Sequence, residues 1–237
     1  MKKKNQMMYE INLNSRKFRV IITKKKIKKI IIRLNYRLEI LVSSPLFISY
    51  SDALNYIFQN AEWLEKIINK YDLIIKEFSV NEFYEKKLIY IQGNKYYLEE
   101  KSNLDTVYKL VDNTFYFKGN IDRVIDKIYQ DHYFLIEAAF NYAYKAFYNN
   151  IKQKPKLVIR KMKARWGSCN YNNGKININR MLICVPNELL HYVVVHEFTH
   201  LIFPNHSKQF YNFLNQVIPN YKELEKQLKK YAFLLSN

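Results

Sequence analysis

The sequence lacks several features that would each point to a class of protein. It has two cysteines in 237 residues, Cys169 and Cys184, too few for a disulfide framework and without the CxxC spacing of a zinc ribbon, so buried thiols are expected. No run approaches the roughly eighteen uninterrupted apolar residues of a membrane span, although 49% of the chain is apolar. The opening residues MKKKNQMMYEINLN are basic but no apolar segment follows them, which argues against a secretory signal and predicts a cytoplasmic protein with no membrane partner. No Gly, Pro or Ser-rich linker and no internal repeat is visible. Acidic residues are scarce as well, 21 against 39 lysines and arginines, giving a formal charge of +18 and a pI near 9.6. Such a balance suits nucleic acid or an anionic surface as partner. Asn, Ile and Tyr are also abundant, so a general compositional bias accounts for part of the lysine excess.

One stretch carries chemistry. Pro186 to Phe210 reads PNELLHYVVVHEFTHLIFPNHSKQF, with HEFTH on an expected helix and a further histidine downstream. Helical geometry sets His196 and His200 about 40° apart and one turn along, so both imidazoles reach one ion. Glu197 lies about 100° round from His196, too far to share the ion comfortably but placed to hold a water bound to it. It is the candidate general base. Leu189, Leu190, Val193, Val194 and Val195 make the helix apolar before the motif, so the histidines are expected to be buried and to need partners. A zinc ion supplies one. Tyr192, one turn before His196 on the ligand face, is a candidate for packing or for stabilising an oxyanion. His191 falls off the metal face, about 140° from His196.

A catalytic zinc usually takes three protein ligands and keeps one position open. His206 is the first candidate for the third. On a straight helix it would face away, but Pro204 disfavours the helical region for Phe203 and with Asn205 should turn the chain back. Glu223 and Glu225 are the rivals, as carboxylates from a later helix.

Before the motif, Tyr9 to Val42 alternates as antiparallel strands, with the lysines from Lys24 to Lys29 at a solvated hairpin turn and Pro45 closing the sheet. Apolar residues from Leu54 to Tyr71 recur at helical spacing after a cap at Ser51. Hairpins are expected around Gly93-Asn94 and around Asn113, then one long helix from Ile121 to Phe147 with His132 on its apolar face. Lys156 to Ile159 reads as a strand, and Asn173-Gly174 turns a ribbon just ahead of the metal helix. That ribbon offers an edge strand to which an extended peptide can add. Ser207 should cap a helix ended by Pro219, and a last amphipathic helix follows.

Three blocks together resemble the YgjP-like metallopeptidases, a zincin group similar to the SprT-like proteases. They are Arg165-Trp166-Gly167-Ser168-Cys169, then Ile178-Asn179-Arg180-Met181-Leu182 leading to Pro186, then Tyr192 to His200 followed by Asn205-His206-Ser207 and Phe210. Order and spacing match throughout Arg160 to Tyr221. The resemblance implies that His196, His200 and His206 bind zinc and that Glu197 is catalytic. His191 stands where the family often has Asp, and Phe198-Thr199 where Leu-Ala is common.

The expectation is therefore an α+β, zincin-like metallopeptidase fold, with a β-rich half over residues 1–118 and a helical half over residues 119–237 that carries HEFTH. Its expected work is hydrolysis of peptide or protein substrates by a zinc-bound water that Glu197 activates. Trp166, Gly167, Ser168 and Tyr192 are the candidate substrate-binding residues. Two other readings stay open: a basic nucleic-acid-associated protein whose metal is structural, and a metal-dependent amidase acting on a small molecule.

Overall fold

The computed structural model describes residues 5–236, so Met1 to Lys4 of the basic opening segment lie outside the described residues. The chain divides into two compact units, Met1–Asn81 and Glu82–Asn237. The architecture is mixed α+β, with strands dominating early and helices late.

The first unit holds β1 (Gln6–Leu13), β2 (Arg16–Lys25), β3 (Ile31–Leu34) and β4 (Ile40–Pro45) in the sheet order β1-β2-β4-β3. β1 and β2 form an antiparallel hairpin. β2 and β4 run parallel, with Val20 opposite Ile40, where antiparallel pairing was expected. The lysine cluster closes no hairpin, because β4 inserts between β2 and β3 and leaves β3 at the edge. Alternation shows which side chains face a core, but not which strand lies next door. On the core face Phe18, Val20, Ile22, Ile40 and Val42 are buried together with Ala53 and Ile57 of α1 (Tyr50–Gln59) and Leu64 and Ile68 of α2 (Ala61–Glu77). The single helix expected after Ser51 is thus two helices. Ser49 is the cap, its Oγ accepting from the Asp52 N–H at 3.0 Å. The break falls at Asn60, whose side-chain amide donates to the Tyr56 carbonyl at 2.8 Å, a local bond that competes with helix propagation.

A five-residue helix, α3 (Val80–Tyr84), spans the boundary. In the second unit β5 (Leu88–Ile91), β6 (Asn94–Glu100), β7 (Tyr108–Val111) and β8 (Thr114–Phe117) form a sheet ordered β5-β6-β8-β7, with both expected hairpins present. Then come α4 (Ile121–Asp131) and α5 (Tyr133–Phe147), where one long helix was expected. His132 sits at the break half-buried, its Nδ1–H donating to the Ile128 carbonyl at 2.7 Å, so it closes a helix end and does not fill the core. β9 (Lys156–Arg160), β10 (Gly167–Asn170) and β11 (Lys175–Asn179) form a third sheet ordered β10-β11-β9, which leaves β10 an edge. The unit ends with α6 (Asn187–Thr199), α7 (Lys208–Val217) and α8 (Tyr221–Lys230).

α6 is apolar on nearly every face and correspondingly buried. Phe198 meets Phe140 and Phe147 of α5 at ring-centroid distances of 4.9 and 5.5 Å. The start of α6 is set by the β5–β6 turn. The N–H groups of Gln92 and Gly93 donate to the carbonyls of Ile183 and Cys184 at 2.7 and 3.0 Å. A Cβ on Gly93 would lie 2.9 Å from Pro186 Cγ, and φ there is 81°, so the position requires glycine. These contacts bind the β5–β8 sheet to the helical segment, and Gly119, the expected boundary, accordingly lies inside the second unit. No helix of the described residues is long and apolar enough to cross a membrane.

Candidate metal centre

α6 ends at Thr199 with His200 as its C-cap, still in the right-handed helical region (φ −65°, ψ −18°). His196 and His200 therefore keep one-turn spacing, and their ring centroids lie 5.0 Å apart. Beyond them the chain turns through Pro204 and restarts at Ser207, whose Oγ accepts from the Phe210 N–H at 3.3 Å and caps α7. The turn returns His206 to the helix it left. Its Nε2 lies 3.1 Å from His196 Nε2. One ring nitrogen from each of His196, His200 and His206 lies within 4.8 Å of the other two, and this is the metal-competent group among the described residues. Glu223 and Glu225 stand on α8, paired with Lys226 at 3.9 Å and Lys229 at 2.8 Å.

Phe210, fully buried, supports all three imidazoles at centroid distances of 5.0, 4.7 and 4.9 Å. The Nδ1–H of His200 donates to the Phe203 carbonyl at 3.2 Å, which leaves its Nε2 with a lone pair for a cation. Burial pushes His196 down to about 3, with His200 and His206 adding to the shift, and lowers His200 in the same direction. Imidazoles held neutral are in their ligating form.

Glu197, 6% exposed, lies against β10. A Cβ on Gly167 would fall 2.5 Å from its Oε1 and 2.7 Å from its Cγ, so the missing side chain is the space the carboxyl occupies. Burial raises Glu197 to about 8, opposed by the positive charge of Arg165. The result is a cleft of about 330 Å³, with Gly167, Ser168, Cys169 and Arg165 among the lining residues together with Glu197 and the three histidines. The Cys169 thiol is pushed up to about 12 by burial and by Glu197, so the cleft holds it as a thiol.

Of the candidate substrate-binding residues, Gly167 and Ser168 line this cleft. Trp166 and Tyr192 are outside the lining. The carbonyl of Trp166 accepts from the Asn179 N–H at 2.8 Å, and Tyr192 is buried with its ring 6.0 Å from His196. Sequence reasoning assigned no part to Asn179, which is fully buried. Its side-chain amide donates to the Met162 and Arg165 carbonyls, both at 2.8 Å, and fixes the loop ahead of β10. Its place in the quoted Ile178 to Leu182 block was the only available signal. Arg165 lay in the quoted RWGSC block but was given no role.

Paired histidines one helical turn apart, a third returned by the following turn and a buried carboxyl beside them define the class of metallopeptidases. A family model described as YgjP-like, metallopeptidase domain, matches residues 28–231, and the chain belongs to that family of metal-dependent peptidases. Two solved structures are similar to part of the chain. The metallopeptidase zymogen jannalysin of Methanocaldococcus jannaschii is 24% identical with a TM-score of 0.37, covering 40% of this chain and 88% of that one. The metallopeptidase zymogen abylysin of Pyrococcus abyssi is 23% identical with a TM-score of 0.36, covering 39% of this chain and 90% of that one. Likeness at that level says nothing about the substrate of this chain. No curated protein matches it.

Proposed function

We propose that this metallopeptidase uses zinc, held by His196, His200 and His206, and that Glu197 is its general base. The observation that carries the proposal is the convergence of three ring nitrogens within 4.8 Å beside a buried carboxyl. The donors fit the ion. Two Nε2 atoms face each other at 3.1 Å, a separation natural for lone pairs directed at a shared cation. Three histidines are a catalytic zinc set, one short of the four ligands that close a structural site. Zinc in that position supplies Lewis acidity, lowering the pKa of water and polarising a carbonyl.

The chain's own residues do the rest. Glu197 accepts the proton of the attacking water and delivers it to the leaving amine. Without a metal, burial raises its carboxyl to about 8, so it holds a proton more firmly than an exposed one, which suits delivery to the leaving amine. Gly167 gives the carboxyl its room, and Phe210 holds the imidazoles in register. β10 is one edge of its sheet and contributes Gly167, Ser168 and Cys169 to the cleft. An extended peptide adds to such an edge through main-chain hydrogen bonds.

Zinc analysis and peptide hydrolysis on purified variants test this. Glu197→Gln keeps near-stoichiometric zinc and loses hydrolysis, whereas His196→Ala and His200→Ala lose the metal. Hydrolysis by Glu197→Gln at the parent rate would remove Glu197 from the role.

A further inference from the structure

Arg165 lines the cleft beside Glu197, yet no carboxylate of the described residues comes within the 4.0 Å ion-pair distance of its guanidinium. By contrast Arg180 pairs with Asp126 at 2.6 Å, and Glu223 and Glu225 of α8 pair with lysines of the same helix. The side chain of Arg165 is exposed, but the backbone that carries it is held in place. Asn179, fully buried, donates to the carbonyl of Arg165 itself and to that of Met162, while its N–H donates to the Trp166 carbonyl, so the backbone on both sides of the guanidinium is clamped. The protein as a whole carries a net charge of +18, which attracts anionic chains before any contact forms.

We propose that Arg165 is the specificity residue of the cleft, and that the enzyme prefers peptides presenting a carboxylate close to the scissile bond. A guanidinium donates two parallel N–H bonds to a carboxylate, and such a charge-assisted pair outweighs a neutral amide contact. The carboxylate is either an Asp or Glu side chain or the free C-terminus of a short peptide. This inference rests on the peptidase reading given above, and the two are separated by measuring binding and turnover independently.

The experiment uses one peptide sequence in which Glu replaces Gln at each position on either side of the scissile bond, and a matched pair with free and amidated C-termini. Binding is read by fluorescence anisotropy on the zinc-loaded Glu197→Gln protein, which does not consume the peptide, with and without Arg165→Gln or Arg165→Glu. Expected is a Glu-over-Gln preference on the order of tenfold at one position, or for the free C-terminus. It falls to parity in Arg165→Gln, and Arg165→Glu favours Lys at the same position. Equal binding of every Glu and Gln pair and of both termini, or a preference that survives Arg165→Gln, overturns the proposal. Hydrolysis of the series by the parent reports on the peptidase reading: binding preference without turnover leaves the specificity residue standing and removes the reaction.

Discussion

Gly167→Ala is the sharpest single test of where Glu197 works. Two carbons in contact lie about 3.5 Å or more apart. The added methyl would stand 2.7 Å from Cγ and 2.8 Å from Cδ of Glu197. The overlap is therefore roughly 0.7 Å at two atoms at once, and the side chain must move as a whole by on the order of 1 Å. β10 imposes no backbone penalty, since alanine adopts strand geometry freely. Overpacking of this kind costs about 1–3 kcal/mol of stability. A misplacement of about 1 Å costs on the order of 100-fold in rate, or about 2.7 kcal/mol of activation free energy. The three nearest atoms the methyl meets all belong to Glu197, so zinc content is expected to stay at the parent level. The assays are metal analysis, thermal unfolding and kcat/KM on a fluorogenic peptide. Because the loss runs through Glu197, the double variant Gly167→Ala/Glu197→Gln should be no slower than Glu197→Gln alone. A Gly167→Ala enzyme at full rate, or a further 100-fold loss in the double variant, refutes the reasoning.

Zinc affinity should drop sharply in His206→Ala and hardly at all in Glu223→Ala or Glu225→Ala, and metal retained by the first but lost from either of the others reverses the choice of third ligand. Ser207→Ala should lower stability by about 1 kcal/mol through loss of the α7 cap and weaken zinc binding, because α7 carries Phe210 beneath the imidazoles. In the metal-stripped protein Glu197 binds its proton up to about pH 8 when folded but only to the ordinary carboxyl range when unfolded, so it makes stability fall as pH rises between about 4.5 and 8. His196, depressed to about 3 from 6.5, has the opposite slope and makes stability fall as pH drops below 6.5. Chemical unfolding of chelated parent and chelated Glu197→Gln at pH 6 and pH 9 separates the two, since only the parent should weaken on going to pH 9, by a few kcal/mol.

The gathering of the three histidines was legible in the sequence because it is local. His196 and His200 need only one helical turn, and Pro204 announces the bend that brings His206 round. The strand and helix faces were legible for the same reason, as in the alternate burial of Phe18, Val20 and Ile22. What pattern could not supply was adjacency. The parallel pairing of β2 with β4 depends on a strand arriving later, and the breaks at Asn60 and His132 depend on single side-chain bonds to the preceding turn. The fit of Gly167 against Glu197 joins residues thirty positions apart, and a glycine in a strand looks the same whether or not a carboxyl fills its space. Tyr192 lies where helical arithmetic placed it, its ring 6.0 Å from that of His196, and it is buried there, as the packing alternative expects.

The bonds from Gln92 and Gly93 to the carbonyls of Ile183 and Cys184 have a consequence for how the molecule is made. They join segments some ninety residues apart, so the loop closed by this contact is long and its formation carries a correspondingly high entropic cost. A shortened chain beginning at residue 119 would present the same histidines with two main-chain acceptors stripped of their donors, at about 1–3 kcal/mol for each one left buried. The HEFTH helix would then lack its seat at Pro186. The HEFTH segment is local in sequence, but its seat includes bonds from a distant hairpin, so dissection at Gly119 should yield a fragment that folds poorly although its three histidines are all present.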